Sequence, residues 1–479
     1  MNGSSDLWTY ALAAANAAIA VAVSIHIVLR KEEDRAAVAW LAMIWLSPFV
    51  GSVLYWLFGV NRIKRRALKL RGTQRDQDSA EPAAARPSDA QIAVDRFYTN
   101  QARLVRHAPL ALDFSASNRV QLLRTGDVAY PQMLAAIDGA RTSVALASYI
   151  FNNDRVGRRF AQALGEATAR GVQVRVLIDG IGALYSLPTA IGLLRSQGVK
   201  TARFLTSILP WRMPYLNLRN HRKILVVDGA IGFTGGMNIK HGHMLSEQPS
   251  LPTLDVQFRI EGPAVSDLMA TFADDWSFTT GETLAGATWF ANPKSDGTTV
   301  MRCIASGPNE RVGSLRLTLL GALTQVEHSL RIATPYFLPD EEITSLLVIA
   351  SLRGVAVDVV LPKRSNLFFM KWAETASFRR LIAAGCRVWL EAPPFDHSKV
   401  AVADGRWVLF GSSNWDNRSL RLNFELDCEA FDPALAQEIE RLIDEKIARS
   451  EPVTRERLSA RPFIRRLVDG IVRLFKPFL

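Results

Sequence analysis

Two long apolar runs open the chain. Leu7–Leu29 and Ala36–Val60 carry no charged side chain, and only the fully charged hexad Arg30–Arg35 separates them. At about 1.5 Å per residue each run can cross a hydrocarbon core of about 30 Å. The first lacks a preceding basic region and is too long for a signal peptide. The pattern therefore predicts a transmembrane hairpin within residues 1–71, with helices at about 7–29 and 36–60.

Further along, the pattern changes twice. Residues 72–92 are small, polar and proline-containing and read as a flexible linker. Beyond them strand-like runs alternate with helical periodicity. Ser143–Phe151, Val172–Ile178, Lys223–Val227 and Ala230–Phe233 read as strands, and Met133–Ala140 and Gly157–Ala169 as helices. Ser329–Thr334, Val355–Leu361, Val388–Leu390, Lys399–Val402 and Trp407–Phe410 repeat the strand theme. Such alternation predicts an α/β body. In the tail, 452–479, the residues Ile464, Leu467, Val468, Ile471, Val472 and Phe475 recur on one helical face. Arg465, Arg466, Asp469, Arg473 and Lys476 lie off it, as in a basic amphipathic helix resting on an anionic membrane.

Charge sharpens this division. Of the net +11, the segment Asn61–Arg75 carries +7 and the tail +5, so the remaining chain sums to −1. A near-neutral body with two basic segments argues against a nucleic-acid groove. It also orients the hairpin: seven basic residues follow the second run and three lie between the runs, which puts the body on the cytoplasmic side. The three cysteines, Cys303, Cys386 and Cys428, are far apart, which excludes a disulfide framework and a cysteine-built zinc site.

Self-comparison shows where the chemistry lies. His221-x-Lys223-x4-Asp228 matches His397-x-Lys399-x4-Asp404, and Gly235 and Asn238 match Gly411 and Asn414, every pair at the same offset. The body is thus two copies of one unit. On a strand, His and Lys at i and i+2 share a face. Asp-Gly then turns the chain, and the next strand ends in a loop whose Asn can donate to an oxyanion. Two facing copies would bring two imidazoles and two ammonium groups around one pocket. That suits a phosphodiester, with one histidine attacking and the other protonating the leaving alcohol. Of the other histidines, His107 and His328 read as structural, while His241 and His243 are candidates for the pocket lining.

At these residues the chain resembles the phospholipase D superfamily, which is defined by paired H-x-K-x4-D motifs. Within it, the chain is similar to the bacterial cardiolipin synthases. Asn217-Leu-Arg219-Asn220 before the first motif, Glu261-Gly-Pro, Ser306-Gly-Pro, Pro335-Tyr-Phe, Asn414-Trp-Asp416-Asn-Arg418-Ser419 and Asn423-Phe-Glu425 also match. Two departures stand out: Asp255 lacks the preceding tryptophan usual in the family, and His241 and His243 lie near usual tyrosine positions.

The resemblance implies two pseudo-two-fold-related halves, 93–295 and 296–451, sharing one site and needing no metal or organic cofactor. The implied catalytic set is His221, Lys223, Asp228, His397, Lys399 and Asp404, with Asn238 and Asn414 on the phosphate. Within it, the resemblance gives Asp228 and Asp404 a structural role and His221 the nucleophile's. It also implies an acid downstream of each motif to orient that motif's histidine. Asp255 follows His221 in the first copy, and Glu425 follows His397 in the second. The implied reaction joins two phosphatidylglycerol molecules into cardiolipin and glycerol at the bacterial cytoplasmic membrane, among anionic lipids. Water as acceptor would make the same site a phospholipase, and DNA as substrate a membrane-anchored nuclease.

Overall fold

The computed structural model describes residues 3–31, 34–56, 96–106, 113–205, 218–291, 293–307, 313–365 and 368–474. The basic segment 61–75 and the linker 72–92 lie outside the described residues, as do His107, Phe475 and Lys476. Helices α1 (Gly3–Arg30), α2 (Asp34–Leu46) and α3 (Pro48–Leu54) belong to one compact unit, and the described residues from Arg96 onward belong to another.

Among the described residues, α1 is the one helix long and apolar enough to cross a membrane. The second run is not the single helix the hydropathy predicts. It breaks at Ser47, whose backbone sits at φ −150°, ψ 81°. Pro48 is the cause, because its ring disfavours the helical conformation for the residue before it. At Gly51 any Cβ would lie 2.7 Å from the Met43 carbonyl, so only glycine allows α3 this close to α2. Ala20, Ile27, Ile44 and Tyr55 form the unit's apolar centre, and the Tyr55 hydroxyl meets His26 Nδ1 at 2.9 Å.

The second unit is mixed α/β and is built on a 15-stranded sheet. From a seam outward, the first half runs Ser115–Arg124, Val256–Glu261, Ile231–Gly235, Ile224–Val227, Ser143–Ser148, Gln173–Asp179 and Lys200–Phe204. The second half runs Thr299–Ser306, Glu425–Phe431, Trp407–Gly411, Val400–Ala403, Ser329–Ala333, Ala356–Pro362 and Arg387–Glu391. Ser450–Pro452 is added at its edge. The two lists correspond strand for strand, with antiparallel pairs near the seam and parallel pairs outside.

Parallel strands are covered on both faces, so they read as unbroken apolar runs such as Val144–Ala147. Helices cover them; Arg155–Ala169 begins at Asp154, whose carboxylate accepts from the Val156 and Gly157 amides. Each half has its own apolar core. The seam is Ser115–Arg124 against Thr299–Ser306, and Phe258 stacks on Phe410 at 3.8 Å across it.

The C-terminal helix forms over Phe463–Leu474 but does not lay its apolar stripe on one surface. Asp469, off the stripe, is buried with Arg461 at 3.0 Å, and Val472 packs on Tyr336, Leu338, Met370 and Ala373. Ile464 and Leu467, on the stripe, are exposed together with Phe463.

Candidate active site

Each motif ends in a tight Asp-Gly turn. Asp228 and Asp404 adopt φ of 52° and 50°, a left-handed conformation that short polar side chains tolerate. The Asp228 carboxylate accepts from the amides of Arg141, Thr142 and Ser143, and Asp404 accepts from those of Glu327, His328 and Ser329. Both thus fasten the turn to the start of a neighbouring strand, and neither lines the cavity.

The two histidines meet. Their rings lie 6.4 Å apart at 75°, and both line a cavity of about 1190 Å³ with Asn238 and Asn414. Both rings thus border the same space, where a single phosphodiester could lie against the two of them.

The acids come from the opposite halves to those expected. The His221 amide donates to the Phe424 carbonyl, and the His397 amide to the Leu254 carbonyl, each at 2.8 Å. Phe424 precedes Glu425 and Leu254 precedes Asp255. These bridges therefore set His221 Nδ1 2.9 Å from Glu425 Oε2 and His397 Nδ1 2.8 Å from Asp255 Oδ2. The expectation that each acid serves its own motif is corrected: the backbone pairing across the halves exchanges them.

The two dyads differ. His221 Nδ1 also lies 3.1 Å from the Ser412 carbonyl, an oxygen that can only accept. The proton thus belongs on Nδ1, which leaves Nε2 as the basic nitrogen. Glu425, fully buried, further accepts from Ser412 Oγ at 2.6 Å and Asn423 Nδ2 at 3.0 Å. Burial opposes its ionisation, but His221, Lys223 and Ser412 outweigh that and hold its carboxyl below the usual range. Asp255 accepts, besides His397, from the Val256 amide at 2.9 Å, and burial pushes its carboxyl up. Its place depends on Gly236, where a Cβ would stand 2.2 Å from Asp255 Oδ1; the matching residue in the second half is Ser412.

His397 Nδ1 faces both Asp255 and the Lys399 ammonium, the latter at 3.0 Å. Its ring is not fixed in one tautomer and can carry a proton on Nε2. Burial lowers the pKa of both histidines, and for His397 the neighbouring lysines push it well below the usual value. Lys223 and Lys399 curl back to the carbonyls of His221 and His397. Burial brings their pKa down to about 7 and about 8. Asn238 Oδ1 accepts from the Ile150 amide at 2.9 Å, so its Nδ2 is left to donate.

Of the other candidates, His241 lines the cavity and bonds Glu247 at 3.1 Å. His243 is fully buried on the Thr253 carbonyl at 3.0 Å, and burial brings its pKa down to about 3. It is a neutral core residue. His328 is exposed.

Three further residues shape the site without having been singled out from the sequence. Ser412 holds Glu425. Tyr149 stands edge-on to His221 at 5.0 Å. Arg222 is wholly buried and ties the halves, donating to the Glu425 and Ser306 carbonyls and pairing with Asp275 at 2.6 Å. Ser412 was within reach of sequence reading, as it sits inside the repeated loop; Arg222 has Ser398 as its counterpart, so the repeat gives no signal for it.

Comparison with known proteins bears on this arrangement. A family model described as "Cardiolipin synthase, PLD-like domain" matches residues 133–276 and 319–447, and one described as "Phospholipase_D-nuclease N-terminal" matches 18–59. The chain is 32% identical over 459 residues to a cardiolipin synthase A of Pseudomonas fluorescens, covering 95% of each chain. It is 30% identical over 473 residues to a cardiolipin synthase of Geobacillus kaustophilus, covering 95% of this chain and 91% of that one. Among solved structures, a phosphatidylserine synthase from Haemophilus influenzae superimposes with a TM-score of 0.62 at 15% identity. That match covers 81% of this chain and 100% of the other, a likeness of fold.

Proposed function

The chain belongs to the cardiolipin synthase family of phospholipase D-like proteins, and from that premise we propose that it transfers a phosphatidyl group between two phosphatidylglycerol molecules. The observation that carries this reading is the pair of facing histidines, each held by a carboxylate from the other half.

His221 is the nucleophile. Its proton is held on Nδ1 by acceptors, and Glu425 stabilises the cationic ring that forms when Nε2 attacks phosphorus. His397 is the general acid: in its protonated form Asp255 holds Nδ1, and Nε2–H is presented to the departing glycerol. In the second step His397 takes the proton from a hydroxyl of the acceptor phosphatidylglycerol. That oxygen displaces His221 and forms cardiolipin. Lys223, Lys399, Asn238 and Asn414 offset the charge on the non-bridging oxygens. Asp228 and Asp404 hold the turns.

A membrane anchor is in keeping with a lipid substrate, since it would tether the chain to the bilayer in which both substrates are dissolved. We read α1–α3 as a membrane anchor of two passes, with the α/β unit on the cytoplasmic side of the bacterial membrane, from the bias of basic residues.

The test is product analysis in phosphatidylglycerol vesicles. Wild type should give cardiolipin and glycerol, and His221→Ala and His397→Ala neither. Phosphatidic acid without cardiolipin would make water the acceptor and refute the transfer reading.

A further inference from the structure

The reaction needs an asymmetry that the repeated motif lacks. The donor's phosphate lies between the histidines. The acceptor brings a second phosphate, one glycerol away, which does not react. In-line displacement of His221 requires the acceptor oxygen to approach from the His397 side, so that second phosphate belongs on the His397 flank.

One cation on that flank has no part in the mechanism above. Lys240 follows Asn238 by two positions, lines the cavity and is half-buried. Its ammonium donates to Thr253 Oγ1 at 3.3 Å and is in no ion pair among the described residues, so most of its donor capacity is unused. Lys240 lies on the His397 side, because Thr253 pairs with Phe395, two residues before His397. Its backbone is pinned: the Tyr130 hydroxyl lies 3.2 Å from the Lys240 carbonyl and 3.4 Å from its amide, and the His241 amide donates to Asp154 at 2.7 Å. The counterpart at the same offset is Asp416, which caps a helix by accepting from the Ser419 amide. The copies thus carry opposite charges at a position where the two lipids must be told apart.

We propose that Lys240 is the subsite for the non-reacting phosphodiester of the acceptor lipid. This rests on the transfer reading and on His221 as nucleophile. In the step concerned, the phosphorus–nitrogen bond to His221 breaks as the phosphorus–oxygen bond to the acceptor forms, and the acceptor's proton passes to His397. Lys240 makes and breaks no bond; it binds the acceptor's second phosphate. Burial lowers the lysine's pKa, and an arriving phosphate would raise it again.

Two acceptors separate this role from a structural one. Free labelled glycerol regenerates phosphatidylglycerol from the phosphatidyl-enzyme and carries no phosphate. A second phosphatidylglycerol carries one. In Lys240→Met, cardiolipin formation should fall by roughly 10- to 100-fold, the range of one charged hydrogen bond, through a raised KM for phosphatidylglycerol as acceptor. Incorporation of labelled glycerol into phosphatidylglycerol should change by less than about two-fold, and it reports that the variant is folded. Lys240→Arg should restore most of the cardiolipin synthesis. Equal loss of both reactions, or of neither, would overturn the subsite. So would a split appearing in Arg418→Met, on the His221 flank, in place of Lys240→Met. If wild type makes no cardiolipin at all, the transfer reading itself falls and takes the subsite with it.

Discussion

Replacing Glu425 with glutamine tests the crossed dyads directly. The carboxylate is fully buried and accepts from His221 Nδ1, Ser412 Oγ and Asn423 Nδ2 at 2.9, 2.6 and 3.0 Å. A glutamine has one oxygen to offer to these three donors, so its NH2 must face at least one of them. The lost charge weakens the bond to His221 most when the ring becomes cationic, that is, in the attack on phosphorus. A hydrogen bond to a charged group contributes about 1.5–3 kcal/mol, and a buried donor left facing another donor costs about 1–3 kcal/mol more. Only the first of these grows as the ring becomes cationic, so the barrier rises by about 1.5–3 kcal/mol, a loss of roughly 10- to 150-fold in rate, while the second lowers stability in ground and transition states alike. Rapid quenching with labelled phosphatidylglycerol reads this step as the burst of released glycerol. The burst should slow in Glu425→Gln and be absent in His221→Ala. In Asp255→Asn the proton transfers at His397 should suffer instead, which a substrate with a more acidic leaving alcohol would partly relieve. An unchanged burst in Glu425→Gln, or relief by that substrate in Glu425→Gln and not in Asp255→Asn, would refute the crossed assignment.

Other outcomes follow from the same geometry. Gly236→Ser should cut turnover by about 10²-fold, because its Cβ would stand 2.2 Å from Asp255 Oδ1 and overpacking of this kind costs about 1–3 kcal/mol; steady-state turnover in vesicles checks this. Arg222→Met should lower unfolding free energy by about 3–5 kcal/mol, since it leaves Asp275 buried without its cation, and Arg222→Met/Asp275→Asn should recover part of it; denaturant melts of the purified protein decide. For pH, Lys223 and Lys399 lose protons near 7 and 8 in the empty enzyme, so kcat/KM should fall as pH rises through that range. Stability should move the other way. Between about 7 and the unfolded lysine value of about 10.4, the unfolded chain binds more protons, so these two lysines favour folding increasingly as pH rises. A rate profile and a melting profile over the same pH range would show both trends.

The sequence pattern reveals the strands midway along each half better than those at the seam. Ser143–Phe151 and Val355–Leu361 are read as strands because apolar side chains dominate both runs. Val256–Glu261, Thr299–Ser306 and Glu425–Phe431 escape that reading because buried polar residues interrupt them: Gln257, Arg302, Asp427 and Glu429 all lie inside. Arg302 is neutralised by Glu429, from a strand far along the chain, a pairing that no local window contains. The crossing of the acids escapes for a related reason. Chain order directs Asp255 and Glu425 to the motifs that precede them, while the deciding contacts are backbone bridges to the other copy. At the tail, helical periodicity finds the helix but not its buried side, because Asp469 is drawn inward by Arg461.

The exchange of acids bears on ancestry. Were the two copies separate chains, the same contacts would be those of a symmetric homodimer, each subunit lending its carboxylate to its neighbour. A dimer must use one solution twice. Joined in one polypeptide, the copies can drift apart, and they have done so, one keeping a short acid beside glycine and the other a longer acid beside serine. Heritable division of labour between two once-identical histidines then needs no new residue at the reacting phosphorus. It needs only that a change in one copy be read out on the imidazole of the other.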